Sequence, residues 1–186
     1  ERRLPAAREY IRSRGLNQII PGERDDIGII LQGGLTSTVL RALALLGQAD
    51  AYGRSRLPLL VLNVIHPLVP EEVLGVVEGK ARVLVIEEGM PNFIEQELKA
   101  LAYERRLDVR IHGKDIVAAH GEYVPEVILG GVARFLGGEA ETRLAALAAH
   151  VGRGRDILRA PLPKRPPAFC TGCPERPVFT ALKIAQ

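Results

Sequence analysis

A chain of 186 residues, 47% hydrophobic and 25% charged, can bury one core and carry something besides, and it does not read as disordered. Aromatics make up only 4%, Trp is absent, and a net charge of +3 comes with arginines gathered at residues 2–14 and 153–165, so the basic, aromatic-bearing stripe of a nucleic-acid reader is missing. No apolar run approaches the roughly 20 residues of a membrane span, no signal-peptide pattern opens the chain, and two cysteines make no disulfide framework; a cytoplasmic setting without nucleic acid or membrane is expected.

Residues 1–14 are Arg-rich, with Leu4, Ala7 and Ile11 at roughly helical spacing, as in a surface helix or an arriving linker. Residues 16–20 suit a short strand ended by Pro21-Gly22. The run at 27–31, I-G-I-I-L, is too short for a helix and has no polar side, which predicts a buried parallel strand. So few residues separate these two strands that, if neighbours, they must be antiparallel. Gly33 and Gly34 permit a sharp turn, Thr36 or Ser37 is positioned to cap a helix, and Val39, Leu43 and Leu46 recur on one face before Gly47.

The same alternation repeats. Residues 57–64 predict a second buried strand, and Pro70-Glu71-Glu72 opens a helix that stops at Gly79. Residues 81–86 predict a third strand with Glu87 and Glu88 at its carboxyl end, and Asn92 with Glu95 resembles a capping box for the next helix. Residues 107–111 predict a shorter strand, His112-Gly113-Lys114 a turn, and 125–136 and 139–150 two helices parted by Gly137-Gly138. From Val151 the sequence turns rich in Gly, Pro and Arg. We expect an α/β domain at 1–150, a linker at 151–167, and at 168–186 the truncated start of another domain, so that the chain is a piece of a longer protein. The alternation predicts a three-layer α/β/α fold with a mostly parallel sheet and one antiparallel strand near the start.

Each candidate for chemistry has a plainer alternative. Gly33, Gly34, Thr36 and Ser37 can expose backbone N–H groups to an anion, but the turn lacks both the dinucleotide glycine pattern and a P-loop lysine, and an ordinary strand-to-helix turn accounts for it. Glu87 and Glu88 stand where open α/β sheets place ligands; adjacent residues rarely face one point, and solvated carboxylates are the alternative. His66, His112, His120 and His150 show no metal spacing, and Lys114 can meet a phosphate or simply be solvated. Cys170 and Cys173, with Gly172 between, can chelate one metal, although a thiolate site needs about four ligands and the chain has no other cysteine.

The segment R-P-P-A-F-C-T-G-C-P-E-R-P-V-F-T-A-L at 165–182 resembles the start of the thiamine-pyrophosphate-binding domain of indolepyruvate ferredoxin oxidoreductases, alpha subunit. Upstream, L-N-V-I-H-P-L-V-P-E-E-V, V-L-V-I-E-E-G-M-P-N-F-I-E-Q-E-L, H-G-K and G-E-Y-V-P-E-V are similar to the middle domain of that subunit. Glu175 departs from the pattern, where His is usual. The resemblance implies a five-stranded sheet with an antiparallel first strand, like the transketolase C-terminal domain. It implies an intact enzyme that oxidatively decarboxylates aryl 2-oxoacids on thiamine pyrophosphate and Mg²⁺. Electrons would pass through iron–sulfur clusters to ferredoxin and the acyl group to coenzyme A, with a beta subunit or fused equivalent as partner. Cys170, Gly172 and Cys173 would then lie near thiamine pyrophosphate, and Cys170 and Cys173 would be possible cluster ligands. The catalytic glutamate and the Mg²⁺-pyrophosphate motif belong to flanking domains, so this segment is expected to be a structural and assembly domain that holds no cofactor by itself. The alternatives are a nucleotide- or small-ligand-binding α/β module using Gly33–Ser37 and Glu87–Glu88, and an interaction module that binds metal through its paired cysteines.

Overall fold

The computed structural model of the chain describes residues 2–158 and 175–185. In chain order the elements are α1 (Arg3–Ser13), β1 (Gln18–Ile20), β2 (Ile27–Gln32), a 3-10 turn (Gly33–Leu35), α2 (Thr36–Leu45), β3 (Leu59–Leu62), α3 (Pro70–Val77), β4 (Arg82–Ile86), α4 (Phe93–Glu104), β5 (Arg110–His112), α5 (Pro125–Leu136), α6 (Glu139–Leu158) and α7 (Arg176–Ala185). The strands form one sheet in the order β1-β3-β2-β4-β5, and every pairing is parallel except that of β1. The almost wholly apolar strand lies where such a sequence is stable: β2 is central, with β3 and β4 hydrogen-bonded on either side.

The antiparallel first strand is present, but its neighbour is β3, with Gln18 opposite Val61, and not β2. Both edges of β2 are taken by parallel partners, so the outer edge of β3 is where β1 can complete its ladder.

Side-chain alternation along the strands sorts the core into two layers. Ile27, Ile29 and Leu31 pack with Val39 and Leu43 of α2 and Ile128, Val132 and Phe135 of α5. Ile30, Leu60, Val83 and Val85 face the other way, against Val73, Val76 and Val77 of α3 and Ile94 and Leu98 of α4. Gly28 belongs to this second face. A Cβ there would stand 3.3 Å from a methyl of Val76, so glycine lets α3 lie close to the sheet. Helices thus cover both faces of a five-stranded mixed sheet.

The helix boundaries follow local chemistry. Pro70 and Pro125 occupy first turns, with Glu71, Glu72 and Glu126 at the positive ends of the dipoles. Gly47, Gly79 and Gly137 have φ of 72°, 74° and 70°, values that favour glycine after a helix. α6 does not stop at His150 but continues to Leu158, through residues whose composition reads as linker. By packing, the chain forms two units, Glu1–Ala148 and Ala149–Gln186; the first contains the sheet, and α7 lies in the second. No helix among the described residues is long and apolar enough to cross a membrane.

Candidate functional site

The crossover from β2 to β3 carries α2 on one face of the sheet, whereas α4, which follows β4, lies on the other. The carboxyl ends of β2 and β4 therefore flank a topological switch point, where α/β sheets place ligands. Leu31 pairs with Ile86, so Gln32 and Glu87 emerge side by side, and the Gln32 Oε1 accepts from the Glu88 N–H at 2.9 Å.

The turn after β2 is closed by its own atoms. The Thr36 hydroxyl donates to the Gly33 carbonyl at 2.7 Å, and no side chain caps α2, whose N-cap is Leu35. The expected cap by Thr36 or Ser37 is absent because the intervening 3-10 turn makes Thr36 a donor to the preceding carbonyl and leaves Ser37 exposed. A Cβ on Gly33 would fall 2.2 Å from the Asn63 Oδ1, and Asn63 in turn donates to the Leu16 carbonyl at 2.9 Å. Glycine at 33 thus makes room for a neighbouring side chain. Gly34 faces open space.

After β4 the carboxylates turn inward. Glu87 is 5% exposed and accepts from the Ile94 N–H at 3.0 and 3.1 Å and from the Glu95 N–H at 3.3 Å, so it caps α4 from seven residues upstream. The expected capping box is not formed. Asn92 Nδ2 donates to Glu95 Oε2 at 2.9 Å and caps nothing, because Glu87 already occupies the helix N-terminus. Glu88 points elsewhere, to the Tyr123 N–H at 2.5 Å, so the two adjacent glutamates do not converge.

Glu95, 4% exposed, accepts from Asn92, from the Lys114 N–H at 3.0 Å and from Lys99 Nζ at 2.5 Å. Burial alone would raise its pKa, but the bonds from Lys99, Asn92 and the Lys114 backbone outweigh it and hold the carboxyl below the usual range. A Cβ on Gly113 would fall 2.3 Å from Glu95 Oε2, so this carboxylate needs a glycine beside it. The Lys114 ammonium donates to the Glu87 carbonyl and, at 2.8 Å, to the Tyr123 hydroxyl, and lies 4.8 Å from the centre of that ring. Burial lowers the Lys114 pKa against the opposing pull of Glu87, Glu95 and Glu88. Burial, with the same three glutamates, pushes the Tyr123 phenol up to about 12. The Tyr123 hydroxyl donates to the Ala118 carbonyl at 2.5 Å.

The histidines do not gather. His112 is 7% exposed and paired with Asp115 at 2.7 Å, His66 lines a concavity beside Phe93, His120 is exposed, and His150 lies on α6 within 3.3 Å of Arg153. Burial would raise the Asp115 pKa, but the Gly113 N–H and His112 hold it down. No group of three metal-ligating side chains occurs among the described residues. Cys170, Gly172 and Cys173 lie outside the described residues. Asn63 and Tyr123 are the members with distant partners that sequence reasoning did not single out. Neither stands in a local pattern; each matters through a residue far along the chain.

The fold and its carboxyl edge define a three-layer α/β domain with an antiparallel edge strand and an internally bonded acidic cluster. In sequence the chain is related, along nearly its whole length, to one segment of the indolepyruvate oxidoreductase IorA subunits. It is 32% identical to IorA of Thermococcus kodakarensis over 184 residues, which is 98% of this chain and 27% of that subunit. It is 30% identical to the Pyrococcus abyssi subunit (96% of this chain, 26% of that one) and 32% to that of Methanothermobacter thermautotrophicus (91% and 25%). The chain thus spans about a quarter of the length of these relatives. No family model matches it. Two solved structures resemble it more distantly. One is a 2-oxoglutarate:ferredoxin oxidoreductase from Magnetococcus marinus (TM-score 0.45, 17% identity, 67% of this chain and 19% of that chain). The other is a split-gene transketolase (TM-score 0.46, 18% identity, 70% and 42%).

Proposed function

We propose that this chain is a structural and assembly domain of a larger, cytoplasmic, thiamine-pyrophosphate-dependent oxidoreductase. The intact enzyme oxidatively decarboxylates indolepyruvate and related aryl 2-oxoacids, with ferredoxin, coenzyme A and a second subunit as partners. Catalysis belongs to the flanking domains, and the segment alone is inert. Its relation to a quarter of the IorA subunits supports the enzyme class.

One observation carries the non-catalytic part. At the switch point a pyrophosphate would need free N–H donors or a free cation. Here the N–H groups of Ile94, Glu95, Gly113, Lys114, Tyr123 and Glu88 each meet a side-chain oxygen of the chain itself, and the Lys114 ammonium is engaged by Glu87 and Tyr123. Glu87 and Glu95 are buried beside these groups, and Glu88 accepts from the Tyr123 N–H. At the carboxyl ends of β4 and β5 these residues do not fit a pyrophosphate or a nucleotide phosphate. Calorimetry of the chain with thiamine pyrophosphate and Mg²⁺ tests the proposal. No saturable heat at micromolar ligand is expected, and saturable binding would overturn it. A site for iron–sulfur through Cys170 and Cys173 belongs to the same proposal only when further ligands from flanking sequence join them; anaerobic metal analysis of the chain should find no stoichiometric iron or zinc.

A further inference from the structure

Beyond its internally bonded polar groups, the carboxyl edge leaves several large apolar side chains exposed. Ile65 follows β3 and is 46% exposed; Met90 and Phe93 follow β4 at 60% and 65%; Val124 follows β5 at 39%. Ile65 and Phe93 share a concavity of about 550 Å³ with His66, Ile94, Gln96 and Glu97. Large apolar side chains collected beyond the carboxyl ends of β3, β4 and β5 mark a surface that something covers.

We infer that this edge docks an apolar segment bearing Lys or Arg from the flanking part of the same polypeptide, an inference that rests on the assembly-domain reading above. The occupant is identified by two observations. The IorA relatives extend beyond the matched segment for about three-quarters of their length, so polypeptide is available to cover the edge. The rim is acidic: Glu122 and Glu126 make no ion pair among the described residues, and Glu97 has only Arg8 at 3.8 Å. A second copy of this edge does not suit it. A two-fold contact would set one acidic rim against the other, where like charges oppose association.

The test is photo-crosslinking from a benzoylphenylalanine at position 93 of the full-length subunit. A crosslink to an apolar, Lys- or Arg-bearing stretch outside this segment is expected, whereas a probe at the 90% exposed Tyr52 forms none. Crosslinks confined to this segment, to its second copy or to a separate subunit, or none from position 93, overturn the inference. A Phe93→Ser, Met90→Ser variant is the second measurement. Removing a docking anchor should weaken domain association about 30-fold, read as faster proteolysis between domains of the full-length subunit. The melting temperature of the isolated chain should stay unchanged; an equal loss there would make the patch part of the fold and overturn the inference. Failure of the two readings is separable. Thiamine pyrophosphate binding by the chain together with the expected crosslink removes the non-catalytic reading alone, while no binding and no crosslink removes the docking surface alone.

Discussion

Two turns leave the sheet at the same edge, one after β2 and one after β4, and they solve the same problem in opposite ways. Each must begin a helix whose first N–H groups have no partner within the helix. The turn at Gly33–Leu35 does so with backbone, a 3-10 turn locked by the Thr36 hydroxyl and pressed against Asn63. The turn after β4 does so with charge, burying Glu87 against the N-terminus of α4 and tying Glu95, Lys114 and Tyr123 to it. An apolar strand followed by glycines and hydroxyls tolerates exposure; one followed by carboxylates must bring its own donors.

The comparison breaks most visibly at Glu87. Glu87→Ala leaves two buried N–H groups without an acceptor and should cost about 3 kcal/mol in denaturant unfolding, with Glu87→Gln recovering roughly half. Next, Gly113→Ala drives a methyl into the pinned Glu95 carboxylate and should cost about 2 kcal/mol, more than Gly33→Ala, where the exposed Asn63 side chain can yield at about 1 kcal/mol. Tyr123→Phe removes the hydroxyl that links Lys114 to the Ala118 carbonyl, for about 1 kcal/mol. In the parent, spectrophotometric titration should show one phenol ionising only at about 12, a signal that this variant lacks.

Acid sharpens the same contrast. The Glu95 carboxyl is held below its ordinary value of 4.5, so its contribution is complete above that pH and lost as pH falls through the lowered folded value. Glu95→Gln should flatten the stability profile in that acid range, whereas Thr36→Val, at the backbone-built turn, should change stability by only about 0.5 kcal/mol and leave the profile unaltered.

Much of the fold is legible in the chain because its signals are local. The apolar run at 27–31, Pro70 and Pro125 at helix starts, and Gly47, Gly79 and Gly137 at helix ends act through near neighbours and are found in those roles. Caps do not follow from short spacing alone. Thr36 and Asn92 have the right residue types, yet a 3-10 turn and an upstream carboxylate decided which groups they met. Glu87 and Glu88 were placed at the right edge; that one would be buried and the other would reach Tyr123 was not readable, because each partner comes from another loop.

The sequence alone therefore determined the alternation of strands and helices, the layering of apolar faces and the kinship with one segment of the IorA subunits, since periodicity, turn chemistry and residue identity are properties of neighbouring positions. Only the tertiary structure decided that β1 pairs with β3, that Glu87, Glu95, Lys114 and Tyr123 close on one another, and that the carboxyl edge buries Glu87 and Glu95 while exposing Ile65, Met90, Phe93 and Val124. Those outcomes follow from strand order and register, which bring together groups that the chain itself keeps far apart.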